Sequence, residues 1–525
     1  MWWQTGTIYQ IYPRSFQDSN GDGIGDLDGI RQRLDYLVWL GVDAIWISPV
    51  YPSPMHDFGY DVTDYCGIDP IFGSLDSFDR LIEEAHQKRL KIILDFVPNH
   101  TSIEHPWFKA SRRLRDDPKR DWYIWRDSAS DGSQPNNWIS NFGGSAWTWD
   151  AGTGQYYYHA YLAEQPDLNW RNPDVRAAMH EALRFWLRRG VDGFRVDVIW
   201  HLIKDAAFRD NPPNPAWTMA DPDIERLLQS HSTDQPEVHQ VIAGMRQVLE
   251  EFDDRVLIGE IYLPVEKLVA YYGLNLRGAH LPFNFQLLNV AWTAPYIAAL
   301  IAHYEAALPQ GGWPNWVLSN HDRPRIAARV GPEQARLAAM LLLTLRGTPT
   351  LYYGDELGIG NVEIAPDRIR DPWAKNEPGL GVGRDPARTP MQWDAGDFAG
   401  FSTHEPWLPL TPDYEARNVA AMSNDKTSIL FLVRSLLQYR RGHAPLSQGE
   451  WRLLSSDSDV LAYERRHGDG RIYVVLNFAA SPQAWSARPA TKTRVAISTY
   501  GDRRGDSAGS MVSLRAHEGL LIEPA

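Results

Sequence analysis

LDSFDRLIEEAHQKRLKIILDFVPNH (75–100) is the stretch on which the fold turns. In its first half Leu75, Phe78, Leu81, Ile82 and Ala85 recur at helical spacing and make one face apolar. In its second half KIILDFV (91–97) is a short, β-branched run of the kind that forms a buried strand. The strand ends on polar residues, Asp95, Asn99 and His100. A helix leading into such a strand is one unit of an α/β fold.

The same unit recurs outward in both directions. TIYQIY (7–12) precedes a helical pattern at Ile30, Leu34, Leu37 and Leu40, and VDAIWIS (42–48) follows. Beyond residue 180, ALRFWLRR leads into GFRVDVI (193–199). VLIGEIY (256–262), NWVLSNH (315–321) and TPTLYYG (348–354) continue the series. Alternation sustained over this length predicts a parallel sheet closed into a (β/α)8 TIM barrel. About 70 residues after His100, rich in Trp, Tyr, Gly, Asn and Asp, are too long for an ordinary loop and predict an inserted subdomain after strand 3. A second insertion runs from Gly354 to near residue 420, and the helix TSILFLVRSLLQYRR follows it. From about residue 450 strand-like runs (VLAYERR, RIYVVLNF, TRVAIST) follow one another without helices and predict a C-terminal antiparallel β domain. The expected division is a catalytic barrel over 1–100 and 174–449, a subdomain over 101–173, and a C-terminal β-sandwich over 450–525.

Composition narrows the function. The 525 residues exceed a single core, and 43% are apolar, as in globular proteins. The longest apolar run, Leu337 to Leu345, is far below a membrane span, and MWWQTGTIYQ lacks the basic start and apolar stretch of a secretory signal, so the expected location is the cytoplasm. A net charge of −14 argues against nucleic acid and anionic membranes as partners. The single cysteine, Cys66, excludes an internal disulfide framework. The 22 Trp and 23 Tyr suit sugar stacking and large cores alike.

In a (β/α)8 barrel chemistry gathers at the C-terminal ends of the strands. There the sequence places Asp95, Asn99 and His100, then Arg195 and Asp197, then Glu260, then Asn320, His321 and Asp322. Converging carboxylates suit glycoside hydrolysis, which needs one to attack and one to protonate the leaving oxygen. Metal-assisted hydrolysis is the rival, and neither HxH nor HExxH stands among these ends. Singly, an Asp after a strand is usually a helix cap and a lone His a structural one; Asn99-His100-Thr101 also matches a glycosylation sequon. The joint pattern outweighs these readings.

DFVPNH (95–100), GFRVDV (193–198), the Glu of LIGEIY (257–262) and SNHDR (319–323) resemble the four ordered motifs of glycoside hydrolase family 13, the α-amylase family. QPDLNW (165–170) resembles the additional motif of its α-glucosidase and oligo-1,6-glucosidase branch. The resemblance implies that Asp197 is the nucleophile, Glu260 the acid/base and Asp322 the carboxylate holding the 2- and 3-hydroxyls. Arg195, two residues before Asp197 on a strand, faces the same side and is expected to keep it ionised. Glu260 is expected to have a raised pKa. His100 and His321 are expected to donate to sugar hydroxyls.

MHDFGYDV (55–62) resembles the branch's pocket floor, which implies that Asp57 binds the terminal glucose and Tyr60 stacks beneath it. RDPARTPMQW (384–393) resembles the segment with the partner arginine, for which Arg388 is preferred over Arg384. Phe142 and Tyr161 match pocket-wall positions, and Gln165 opens QPDLNW. In DSNGDGIGD (18–26), Asp18, Asn20, Asp22 and Asp26 stand at positions 1, 3, 5 and 9 of an EF-hand-like loop, with the Ile24 carbonyl at position 7. Position 12 is Gly29, so this is no true EF-hand; the family's similar loop implies a structural Ca2+ or Mg2+.

The expected function is a retaining, exo-acting α-glucosidase that acts on short substrates such as maltose and transfers glucose to alcohol acceptors, as a monomer or homodimer. HDFGYDV and RDPWAKNEPGLGVGRD (370–385) resemble α-1,4-acting members, and Val198 after the nucleophile resembles α-1,6-acting ones; α-1,4 is preferred. Trehalose or isomaltulose synthase is the runner-up, without the RLDRD-type segment of isomaltulose synthases. Transporter heavy chains share the fold, yet need a membrane helix and typically lack the triad.

Overall fold

The computed structural model describes residues 1–456, 459–486 and 492–525. Eight parallel strands form the central sheet: β1 Ile8–Ile11, β2 Ala44–Ile47, β3 Lys91–Phe96, β4 Gly193–Val196, β5 Val256–Gly259, β6 Leu281–Pro282, β7 Asn315–Val317 and β8 Thr348–Tyr352. Their hydrogen-bonded order is β7-β8-β1-β2-β3-β4-β5-β6. This is the TIM barrel of the sequence reading, and its strands are buried nearly throughout because helices cover the outside.

The sequence marks seven of these strands and misses β6. Two residues carry no periodicity, and Pro282 has no N–H to give a ladder. Asn315 of β7 bridges that gap instead: its Nδ2 donates to the Pro282 carbonyl (2.5 Å) and its Oδ1 accepts from the Asn284 N–H (2.9 Å). The helix expected after β1 is two helices, Leu27–Gln32 and Leu34–Leu40, broken at Arg33.

Register aligns the polar strand ends. Asp95 of β3 lies beside Arg195 of β4, and Val196 beside Gly259 of β5. The ladder continues one residue further, with Asp197 N–H donating to the Phe96 carbonyl (2.8 Å) and Glu260 N–H to the Val196 carbonyl (3.0 Å). Gly193 permits the close β4–β5 approach, since a Cβ there would stand 2.4 Å from the Val256 carbonyl oxygen.

The segment after β3 carries the helix Pro106–Arg113 and a three-stranded antiparallel sheet of Trp125–Arg126, Gln155–Tyr158 and Trp147–Asp150, in that order. It has its own aromatic core of Trp138, Trp147 and Tyr158. A long excursion between β4 and the helix Val238–Leu249, unmarked in the sequence, docks on it. Asn136 Nδ2 donates to the Phe208 carbonyl (3.0 Å) and Trp138 Nε1 to the Arg209 carbonyl (2.9 Å). At the C-terminus a six-stranded antiparallel sheet and the pair Gln483–Ser486 with Met511–Leu514 pack through Val475, Trp485, Val512, Leu514 and Ile522. Among the described residues no helix is long and apolar enough to cross a membrane.

Candidate active site

The ends of β3, β4 and β5 meet on one buried guanidinium. Arg195 Nη1 lies 2.7 Å from Asp95 and 2.8 Å from Asp197, and its Nη2 lies 2.7 Å from Glu260. Only the first two contacts are aligned as hydrogen bonds. Glu260 is within hydrogen-bonding reach of Asp197 and also accepts the Val198 N–H (2.9 Å). Val198 takes φ 37° and ψ 47°. That left-handed turn is costly for a β-branched residue, by about 1–3 kcal/mol, and it stands at the rim of the catalytic cluster.

Arg195 does not lower Asp197 as expected. Burial, with Glu260 next, pushes the Asp197 carboxyl well above the usual range, and Arg195 opposes this without overcoming it. Burial also raises Glu260 and brings Asp95 up to about 7, Arg195 opposing in each case. One cation serving three buried carboxyls leaves protons in the cluster. Of Asp197 and Glu260, Asp197 holds the aligned guanidinium hydrogen bond, which favours its ionised form.

Asp322 closes the other side. Burial alone would raise its carboxyl, but His321, Arg384 and Arg388 hold it well below the usual range. Arg388 Nη2 donates to it at 3.0 Å, and Arg388 Nε donates to the His321 carbonyl. The expected pairing of Arg388 with Asp57 is therefore corrected: Arg384 Nη2 makes that contact, at 2.6 Å. Arg384 is aimed by Asp371, which it contacts at 2.7 Å and whose other oxygen accepts the Arg384 backbone N–H. A four-residue offset on either side of a 3-10 turn, Asp385–Ala387, separates the two arginines, and only the folded loop decides which reaches Asp57. Asp57 is fully enclosed, and burial raises its carboxyl to about 6 against the pull of Arg384.

The remaining expected residues knit the wall together. The Tyr60 ring stacks on His321 (5.4 Å between centroids, 8°), and its hydroxyl bonds Asp95 (3.0 Å) and His321 Nε2 (2.6 Å). Gln10 meets His321 Nδ1 at 2.7 Å. His100 meets the Tyr60 carbonyl (3.1 Å) and Gln165 (3.2 Å), and Gln165 reaches Asp57 at 3.3 Å. Burial brings His100 down to about 4, which makes it a neutral hydrogen-bonding group, and lowers His321 against the opposing pull of Asp322. Phe142 meets Tyr161 edge-on (5.3 Å), stacks on Trp373 (5.7 Å) and lies under the Arg384 guanidinium (4.7 Å). Glu377 stitches the rim, accepting from Trp373 Nε1 (2.6 Å) and the Asp223 N–H (2.7 Å). Asp371, Trp373 and Glu377 carried no sequence signal of a role, since each acts through a partner far along the chain.

DSNGDGIGD folds as successive side-chain-to-backbone turns. Asp18 accepts from the N–H groups of Asn20, Gly21 and Gly23, Asn20 from Asp22, and Asp22 from Ile24. Asp26 caps the next helix through Gly29 and also bonds Ser19. Among the described residues no three Asp, Glu, His or Cys side chains are clustered to hold a metal. The donors, all oxygen, are of the type that suits Ca2+ or Mg2+.

Residues 10–449 match the model of the α-amylase catalytic domain, and residues 452–520 that of the maltogenic amylase C-terminal domain. A probable α-glucosidase of Rhizobium meliloti is 41% identical over 499 residues, covering 91% of this chain and 89% of the relative. An oligo-1,6-glucosidase of Halalkalibacterium halodurans is 39% identical, covering 91% of this chain and 90% of its own. An α-glucosyl transfer enzyme superposes with a TM-score of 0.95 at 40% identity, over 100% of this chain and 99% of that one. A trehalulose synthase superposes at 0.93 with 34% identity over all of both chains.

Proposed function

Because the chain belongs to the α-amylase family of glycoside hydrolases and is of the α-glucosidase type, we propose that it is a retaining, exo-acting α-glucosidase. The observation that carries this reading is the pair Asp197 and Glu260, within reach of each other on one guanidinium. Retaining enzymes keep their two carboxyls close, and inverting ones separate them to admit a water. Asp197 attacks the anomeric carbon as the glycosidic C–O bond breaks, and Glu260 protonates the leaving oxygen. In the second step Glu260 takes a proton from water or an alcohol, whose oxygen displaces Asp197. Asp322 holds the sugar hydroxyls. The buried Asp57–Arg384 pair supports recognition of a single terminal glucose.

Maltose-type α-1,4 substrates are preferred in this reading. RDPWAKNEPGLGVGRD, which suggested them, contains Asp371, Trp373 and Arg384 of the pocket wall. Transfer to alcohols is consistent with the similarity to a glucosyl transfer enzyme. The test follows the product anomer by NMR with maltose, isomaltose, sucrose and trehalose as substrates. α-Glucose is expected first and fastest from maltose; β-glucose would overturn retention, and a faster isomaltose rate the linkage. Glu260→Gln is expected to lower kcat about 10²–10⁴-fold, and Asp197→Asn to abolish turnover with an unchanged circular dichroism spectrum.

Asp18, Asn20, Asp22 and Asp26, with the Ile24 carbonyl, are proposed to hold a structural Ca2+ or Mg2+ that takes no part in the chemistry. Elemental analysis is expected to find one equivalent of it, and a chelator to lower the Tm. A Tm unmoved by chelator speaks against the site.

A further inference from the structure

The acid that protonates a glycosidic oxygen stands at the bond between glucose and aglycone. Asp57 and Arg384 close the glucose side, so the aglycone lies where the wall continues past Glu260 and Asp322. There Tyr262, two residues after Glu260, meets Arg323, the neighbour of Asp322 in the chain. The Arg323 guanidinium lies over the Tyr262 ring (5.0 Å) and within hydrogen-bonding reach of its hydroxyl. The charges of Glu260 and Asp322 both bear on that hydroxyl, which places the pair at the catalytic cluster.

Tyr262 is a fixed support. Phe285, itself buried, stacks on it (4.4 Å between centroids, 19°), and Trp200 meets it edge-on (5.8 Å). Its hydroxyl accepts from Asn320 Nδ2 (3.0 Å). Arg323 is half-buried against this ring, and its fork is otherwise unspent. Arg195, Arg384 and Arg388 each close an ion pair with a carboxylate of the site. Asp322 and Glu225 act on the charge of Arg323, yet among the described residues neither closes an ion pair with it. Glu225 belongs to the 3-10 turn Asp223–Arg226 of the excursion after β4, which Glu377 fastens to the rim. Arg323 thus stands between the catalytic carboxylates and that turn.

We propose that Arg323 selects the aglycone, its unspent N–H groups donating to the hydroxyls of a sugar or polyol in the leaving-group and acceptor position. This rests on the α-glucosidase reading above and adds a specificity residue to it. A planar guanidinium held on a fixed ring presents its donors side by side, which matches adjacent hydroxyls and loses little freedom on binding. An aglycone without hydroxyls gives it nothing to bind, so Arg323 separates polyol from monohydric acceptors without touching the glucose.

The experiment compares the full chain with Arg323→Gln and Arg323→Met on maltose and on α-glucosyl fluoride, whose leaving group has no hydroxyls. The kcat/KM for maltose is expected to fall about tenfold or more as a charged hydrogen bond is lost. That for α-glucosyl fluoride is expected to stay within about twofold, because binding of the glucose is unchanged. With α-glucosyl fluoride as donor, transfer to glycerol relative to hydrolysis is expected to fall in both variants, while transfer to 1-propanol holds. Turnover of the fluoride also reports that each variant is folded. Equal losses on maltose and the fluoride would make Arg323 a structural residue and overturn the proposal. An unchanged maltose kcat/KM overturns it too, as does a fall in transfer to glycerol and 1-propanol alike. The underlying reading is checked separately in the unsubstituted chain, where release of β-glucose would refute retention whatever the variants do.

Discussion

Arg384 Nη2 stands between two buried carboxylates, 2.6 Å from Asp57 and 2.7 Å from Asp371, while Nη1 reaches toward Asp322. Removing one member of such a cluster strands the others without a counter-charge. Arg384→Ala is therefore expected to cost about 3–5 kcal/mol in urea unfolding, and to raise the KM for maltose about tenfold or more as a charged hydrogen bond is lost. The same substitution at Arg388 bears first on Asp322, so a larger KM effect there would return the terminal-glucose role to Arg388. Asp95 sets the electrostatics one strand away. It competes for Arg195 and adds to the upward push on Asp197. Asp95→Asn removes that charge and releases Arg195 toward Asp197 and Glu260, so both carboxyls titrate lower. The active form needs Glu260 protonated, and its activity is lost as pH rises through that pKa. The alkaline limb of kcat/KM against pH is thus expected to move to lower pH; a limb that stays or moves up would refute the shared guanidinium. At this scale the sequence named Asp197, Glu260, Asp322 and Asp57 from their motifs. It could not name Asp371 or Glu377, whose effects run through contacts with no local pattern.

Strands are legible where they are long enough to show a run. β3, with six residues, announces itself, and β6, with two, does not. The barrel closes at β6 and β7 through the Asn315 side chain, a solution that tertiary position alone makes available. Asn315→Ala leaves the Pro282 carbonyl and the Asn284 N–H without these partners in a buried place. A loss of about 1–3 kcal/mol for an unsatisfied buried group is expected in urea unfolding. A neutral result would mean that the two strands close the barrel without it. The turn after β4 is a second case. DVI reads as a strand continuing, yet Val198 turns left-handed, because Glu260 on the next strand receives its N–H.

Across the whole molecule, the order of barrel, insertion and terminal β domain was legible because each has its own composition and period. The docking of these parts was not. Arg440 and Arg465 are buried at the seam between barrel and C-terminal domain and donate only to carbonyls, Arg440 to those of Leu343, Leu345 and Gly347, Arg465 to those of Thr344 and Gly449. Free carbonyls at a helix end and a strand start attract them, and no residue pattern announces that. Nor did the sequence show that the excursion after β4 leans on the inserted subdomain. By itself the sequence determined the α/β alternation, the separate β domain and the carboxylates at the strand ends, since periodicity and motif spacing are local properties of the chain. Tertiary structure alone decided that Arg384 rather than Arg388 meets Asp57, that Arg195 is divided among three carboxyls, and that Asp197 therefore sits higher than its neighbouring cation implies. Those outcomes depend on burial and side-chain reach, which exist only once distant segments have been brought together.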